Sequence, residues 1–265
     1  MLGRSPLSRV RRSKRVATVC ALALAAVLAL GARCIDRTHT YVDSDGYTHI
    51  TGEMVNDTSV QGVQVMLRGT LFDAQGRVVA QKDAPTCPPD TQPNQQTVFD
   101  IRFDNPNVPP WTTFDVRTIS GKALPVPLPS PQVVLFFADA ARFVGLPPLP
   151  GVGITDKDVI LAFNVRNQSA QTYDGIQGCA AVYNQAGNVT FVTSSEIVQR
   201  DASGNVGPAV LGNAGPGTVF MIAKNVPPGP IQVRAWLWFG PKGAPTSQYQ
   251  FVATNLITIQ TITGP

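Results

Sequence analysis

Histidine is almost missing from these 265 residues: His39 and His49 are the only two. That scarcity removes most of the chemistry imidazoles perform, from zinc ligation to the activation of serine or cysteine nucleophiles. No GxSxG elbow and no CxxC pair is present. Charged residues make up only 14%, against about 25% in ordinary soluble chains, and the acids are scattered in turns rather than clustered. Four cysteines do not make a disulfide framework, since Cys20 lies in an apolar run and leaves an odd number, Cys34, Cys87 and Cys179. An enzyme, a resident metal and a bound cofactor are therefore not expected.

Positive charge is also scarce where a nucleic-acid binder would need it. The chain carries +4 overall, but Arg4, Arg9, Arg11, Arg12, Lys14 and Arg15 supply six positive charges before any acid appears, so residues 33–265 carry −2. A basic end, then the uncharged apolar run Val16–Ala32, then Arg33 is the layout of a secretory signal whose basic end stays in the cytoplasm. Seventeen apolar residues is also about the lower limit of a spanning helix. Residues 1–33 are thus a signal peptide or a signal anchor, and the remainder is expected outside the cytoplasm, secreted or held to the membrane.

What the chain has in quantity is Gly and Pro, 23 of each, together with an apolar fraction of 43%. This composition favours a packed core with many turns over long helices. It also contains a repeat. Gly52–Asn56 matches Phe163–Asn167, 111 positions later, and Leu71–Gly76 matches Val182–Gly187 at the same offset. Thr97-Val98-Phe99 matches Thr218-Val219-Phe220 at an offset of 121, which implies ten inserted residues in the second copy. Asn107–Pro110 matches Asn225–Pro228, and Val116-Arg117 matches Val233-Arg234.

Each copy reads as strands. Val63, Val65, Leu67, Gly69 and Leu71 alternate with more polar positions, the period of a half-buried strand. Asp43–Gly46 and Asp73–Gly76 are hairpin loops. The Pro-rich stretch Ala123–Pro131 reads as a linker, and residues 132–144 fit a helix or a strand equally well. The expected fold is all-β, with two tandem immunoglobulin-like antiparallel sandwiches after the apolar helix. The expected domains are 34–121, a linker at 122–131, and a larger second sandwich at 132–265.

The first copy resembles the FxLYD domain family through "YVDSDGYTHITGEMVNDTS" (41–59) and "GTLFDAQGRVV" (69–79). Leu71-Phe72-Asp73 matches the family's name motif, with Gly69 in place of its leading Phe. The second copy is similar in a divergent form, through "FNVRN" and "AAVYNQAGNV". The resemblance implies an immunoglobulin-like sandwich displayed on bacterial or archaeal envelopes, and it carries over no functional residue.

Individual candidates have plain readings. If Asp43–Gly46 is a four-residue loop, Thr40 faces His49 and His39 faces Ile50, so the two imidazoles point to opposite faces as surface residues. Asp43-x-Asp45-Gly46 reads as a turn rather than a calcium loop, since no bidentate Glu follows it. Asn56, Asn167 and Asn188 begin glycosylation-type triplets, but the matched positions of Asn56 and Asn167 argue for a role in a turn. Cys34 and Cys87 are the one pair expected within a single domain, and free thiols are expected otherwise. Arg234–Phe239 is apolar on both faces, with Trp236 and Trp238 on one and Leu237 and Phe239 on the other. The uncovered set is expected to lie under residues 249–263 and 132–144, or to meet a partner. Trp236, Trp238 and Trp111 are therefore the candidate interaction surface. The leading functional expectation is a non-catalytic structural or interaction module. Its partners would be the membrane, through an uncleaved leader, and an envelope protein or glycan, with no nucleic acid. The rivals are a glycan- or ligand-binding protein using the aromatic patch, and a hydrolase with an unrecognised carboxylate pair.

Overall fold

The computed structural model describes residues 34–124, 132–145, 154–174, 176–212, 215–226, 232–240 and 250–263. The leader and the linker from residue 125 to 131 lie outside them. Every element described is a β-strand, and no helix among the described residues is long and apolar enough to cross a membrane.

Six strands build the first sandwich: β1 (Cys34–Val42), β2 (Thr48–Val55), β3 (Gln61–Phe72), β4 (Val78–Cys87), β5 (Gln96–Arg102) and β6 (Thr113–Leu124). They pair in the order β1-β2-β5-β4-β3-β6. Strand β4 serves both layers, since Val78–Pro85 lies along β3 while Thr86 and Cys87 reach β5. The same wiring recurs in β7 (Val133–Val144), β8 (Val159–Asn167), β9 (Gln177–Tyr183), β10 (Val189–Glu196), β13 (Pro216–Ala223) and β14 (Gln232–Phe239). Strands β7-β8-β13 make one layer and β10-β9-β14 the other. Residues 132–144 are thus a strand, the counterpart of β1.

The second copy has additions. The hairpin β11 (Val198–Arg200) and β12 (Val206–Pro208) joins the edge of β13. Strands β15 (Gln250–Ala253) and β16 (Ile257–Thr258) lie along β14, while β17 (Gln260–Thr263) runs parallel to β7. Layers β7-β8-β13-β11 and β9-β14-β15 reproduce the ABED and CFG sheets of an immunoglobulin sandwich.

Strand register corrects two sequence matches. Leu71 pairs with Phe114 and its equivalent Val182 with Val233, so Val116-Arg117 corresponds to Ala235-Trp236 rather than to Val233-Arg234. Gly52 pairs with Phe99, and Phe163, at offset 111 from Gly52, pairs with Val219. Phe99 therefore corresponds to Val219, the offset is 120, and nine residues are inserted rather than ten. A slip of one residue turns a strand over. Phe99 and Val219 are both buried in their cores, whereas Phe220 faces outward.

The cores follow from the alternation. Ile50, Met54, Phe99 and Ile101 of one layer meet Val65, Leu67 and Leu71 of the other. A larger cluster around Leu161, Phe163, Val182, Met221, Leu237 and Phe239 fills the second sandwich. Gly69 leaves no hole in the core: a Cβ there would lie 3.1 Å from Ile101 and 3.2 Å from Ile50, so those two side chains occupy the space.

Four hairpin turns share one chemistry: Asp43–Gly46, Asp73–Gly76, Asn184–Gly187 and Asp201–Gly204. In each, the first residue bonds across the loop to the carbonyl four residues on, and the glycine N–H donates back to the first carbonyl. The first side chain accepts the N–H of the residue after the glycine. The glycines have φ between +75° and +85°, the left-handed region open to residues without Cβ.

Candidate functional site

The outer face of β9 and β14 carries Cys179, Ala181, Tyr183 and Trp236, and Trp238 joins them. In isolation this face would be a large apolar surface on water. It is covered by the outer face of β2 and β5, so the two sandwiches stack into one body. Trp236 is 1% exposed and Trp238 5%. Val98 enters the same cluster from the first sandwich, and Cys87, Val192 and Phe251 pack around it. The expected cover, residues 249–263 with 132–144, is thus corrected. Only Phe251 of that set joins the cluster, and the first sandwich does the rest. Neither indole offers a platform to a partner. Trp111 is half-buried elsewhere, edge-on to Phe114 at 6.4 Å against the first core.

A disulfide joins Cys87 at the end of β4 to Cys179 in β9, across the interface and 92 residues apart, with Cα atoms 5.9 Å apart. The expected alternatives, a Cys34–Cys87 pair or free thiols, fail because Cys87 and Cys179 come from different sandwiches that meet face to face.

Polar groups thread the same interface. Tyr183 donates its hydroxyl to Glu53 at 2.5 Å, and Arg37 approaches the other Glu53 oxygen at 3.5 Å. Burial, then the bond to Glu53, pushes the Tyr183 hydroxyl far above its ordinary range. Thr51 donates to the carbonyl of Val189 at 2.6 Å, and Arg234 donates to Gln96. Buried groups bonded in this way hold two surfaces in one register.

A second polar cluster lies on the same face of the first sandwich. His49 is 5% exposed. Its Nδ1 lies 2.8 Å from Asp100 and its Nε2 lies 3.2 Å from Asp43, while Tyr41 stacks on the ring at 4.5 Å. Arg102 sits over the Tyr47 ring at 3.5 Å and approaches Asp43 at 3.6 Å. Burial pulls the His49 pKa down, but Asp100 and then Asp43 outweigh it and hold it above 6.5. For Asp43, burial is outweighed by bonds from the Tyr47 N–H, His49 and the Asp45 N–H, which hold its carboxyl below the usual range. Both ring nitrogens facing carboxylates suit an imidazolium.

This cluster corrects the reading of His49 as a surface residue. The loop is Asp43–Tyr47, five residues, so Tyr41 faces His49 and His39 faces Thr51. Both histidines fall on one face. The carboxylates of Asp43 and Asp100 are both engaged with His49. Among the described residues no group of three or more His, Cys, Asp or Glu is placed to hold a metal ion.

The matched asparagines are structural. Asn56 donates its amide to the carbonyls of Val60 and Thr91 and accepts from the N–H and hydroxyl of Thr58. Asn167 donates to Gln171, Leu211 and Gly212 and accepts from the N–H and hydroxyl of Ser169. Both are fully buried, so no glycosylating enzyme reaches them in the fold. The hydroxyl residue that completes each triplet is there to bond the asparagine.

Two concavities open on the second sandwich. One, of about 360 Å³, lies on the outer face of β8 and β13, lined by Ile160, Ala162, Val198, Phe220 and Ile222, with Asp139 and Arg200 its charged members. The other, of about 850 Å³, separates β7 from β15 and β16, beside Phe136 and Phe137, which are 63% and 55% exposed. Neither gathers the convergent polar groups of a reaction centre. Sequence reasoning did not find them, because they depend on which strands meet at an edge.

No family model and no curated protein matches the chain. Among solved structures, it is similar to red sea bream transglutaminase at 8% identity and a TM-score of 0.24, covering 96% of this chain. The chain spans 34% of that protein's length. It is also similar to the ASH/PapD-like domain 7 of human CEP192, at 12% identity and a TM-score of 0.23, over 56% of this chain and 97% of that one. Likeness at this level carries no argument about function.

Proposed function

We propose that this protein is a non-catalytic interaction module, secreted or membrane-tethered outside the cytoplasm, whose two sandwiches act as one rigid unit. The observation that carries the reading is the interface: a disulfide between Cys87 and Cys179 beside a buried apolar patch holding Trp236 and Trp238. Disulfides of this kind persist in oxidising compartments, which agrees with the basic and apolar leader. The resemblance to FxLYD domains supports display on a bacterial or archaeal envelope. Rigid stacking supports a spacer or adaptor that holds a partner at a fixed distance from its anchor. The glycan-binding alternative loses its main platform, since Trp236 and Trp238 are buried within the chain. For the hydrolase alternative, the candidate carboxylates Asp43 and Asp100 are both bonded to His49.

Two experiments test the reading. Protease added to intact spheroplasts is expected to digest the folded part; digestion that needs detergent contradicts the location. Chemical crosslinking in native membranes, followed by identification of the adduct, is expected to yield an envelope protein. Hydrolytic activity on cell-wall polymers, abolished in an Asp100→Asn variant, would instead support the enzyme.

A further inference from the structure

Among the edges at which the two sandwiches differ, the one at β6 and β14 bears on the core. In the second, β14 is flanked by β9 on one side and by β15 and β16 on the other. In the first, β6 is flanked by β3, and among the described residues no strand lies along its other side. The consequence shows in the core. Pairing with β3 and β9 makes Phe114, Val116 and Thr118 the counterparts of Val233, Ala235 and Leu237. The second three are fully buried, whereas the first three are only half-buried. The first sandwich thus ends at β6 where its twin continues to β15 and β16, and among the described residues this edge leaves main-chain groups and core side chains open.

We propose that this edge pairs with the same edge of a second copy of the chain, antiparallel and about a two-fold axis through Val116. Charge selects both the occupant and the register. Arg117 lies beside Arg68 of β3, and Arg68 is already bound by Asp83 through two bonds of 2.6 and 2.7 Å. Asp115 lies beside Thr70. Neither Asp115 nor Arg117 has an ion-pair partner among the described residues. With Val116 opposite its twin, Asp115 of each copy faces Arg117 of the other, and Phe114 faces Thr118 over the open core. An axis through residue 115 would set Asp115 against Asp115, and one through residue 117 would set Arg117 against Arg117. Like charges directly opposite are unfavourable, so only the Val116 axis satisfies both. A two-fold pairing of this kind is closed, so it yields a dimer and not a fibre. The second sandwich docks on β2 and β5, in the other layer, and among the described residues no strand of it lies along the β6 edge. The inference is independent of the location proposed above, because it concerns only the edge.

Sedimentation velocity on the full chain in mild detergent, over a range of micromolar concentrations, tests the proposal. Wild-type protein is expected to dimerise. Arg117→Asp and Asp115→Arg each set like charges opposite one another, and each is expected to weaken dimerisation at least tenfold. The double exchange Asp115→Arg with Arg117→Asp is expected to restore it, which also shows that the variants fold. A wild-type chain that stays monomeric across the range overturns the proposal. So does a dimer indifferent to the single reversals, or one that the double exchange fails to restore.

Discussion

One pairing scheme is used twice in this chain, and the two copies differ in what their outer faces and edges meet. The position of Arg117 in β6 is that of Trp236 in β14, since each lies opposite equivalent residues, Arg68 and Cys179. Arg117 is exposed; Trp236 is sealed under the other sandwich. The lesson is that the wiring and the turns define the fold, while the face turned away from the core is available to be rewritten. In the first copy it stays polar, and in the second it has become an interface.

Replacing the two matched residues probes that contrast most strongly. Trp236→Ala is expected to cost about 3–5 kcal/mol, the range for emptying a large buried aromatic site. Arg117→Ala, measured at concentrations where the chain is monomeric, is expected to stay within about 0.5 kcal/mol. Denaturant unfolding checks both, and equal effects would erase the distinction between the faces.

The disulfide comes next. Cys179→Ser is expected to lower stability by about 2–5 kcal/mol, and to leave the sandwiches able to part. Measured by the same unfolding method, a loss well below that range would mean that the remaining contacts hold the sandwiches together unaided.

The shared asparagine tests the likeness of the copies rather than their difference. Asn56→Ala and Asn167→Ala each leave buried carbonyls without a donor, at about 1–3 kcal/mol. The two losses are expected to agree, because the bonding patterns match. A large loss in one copy alone would show that the motif is maintained in only one sandwich.

The smallest expected effect separates the copies by pH. His49 and His39 both lie in the first, and the second has no histidine. The His49 pKa is raised on folding, so its contribution is fully present below the unfolded value of 6.5 and is lost as pH rises through the folded value. Asp43 is depressed, so its contribution is present above 3.8 and is lost as pH falls through its lower folded value. Stability measured from neutral to mildly alkaline pH is expected to decline, and His49→Gln is expected to flatten that slope. An unchanged slope in the variant would remove His49 from the account.

Much of the architecture was legible in the residues, for physical reasons. Strand alternation, the Asp/Asn-x-x-Gly turns and the matched Asn56 and Asn167 are local signals, and each copy carries them. Where reading failed, the fault was a count of one or a question of contact. A loop of five residues rather than four turned His49 from the surface to a buried cluster. An offset of 120 rather than 121 exchanged the faces of β13. The two-faced apolar strand at Arg234–Phe239 announced that something covers it, but periodicity says only that a face is apolar, never what lies on it. The Cys87–Cys179 pair was invisible for the same reason, since it depends on how two complete sandwiches meet.

The central claim is that the first sandwich seals the Trp236 and Trp238 face of the second. Mass mapping of the disulfide tests it most directly, in chain isolated from its own cells with thiols blocked at lysis. The account predicts one linked peptide pair containing Cys87 and Cys179. Free Cys87 and Cys179, or Cys87 linked to Cys34, would mean that the two faces do not meet as described.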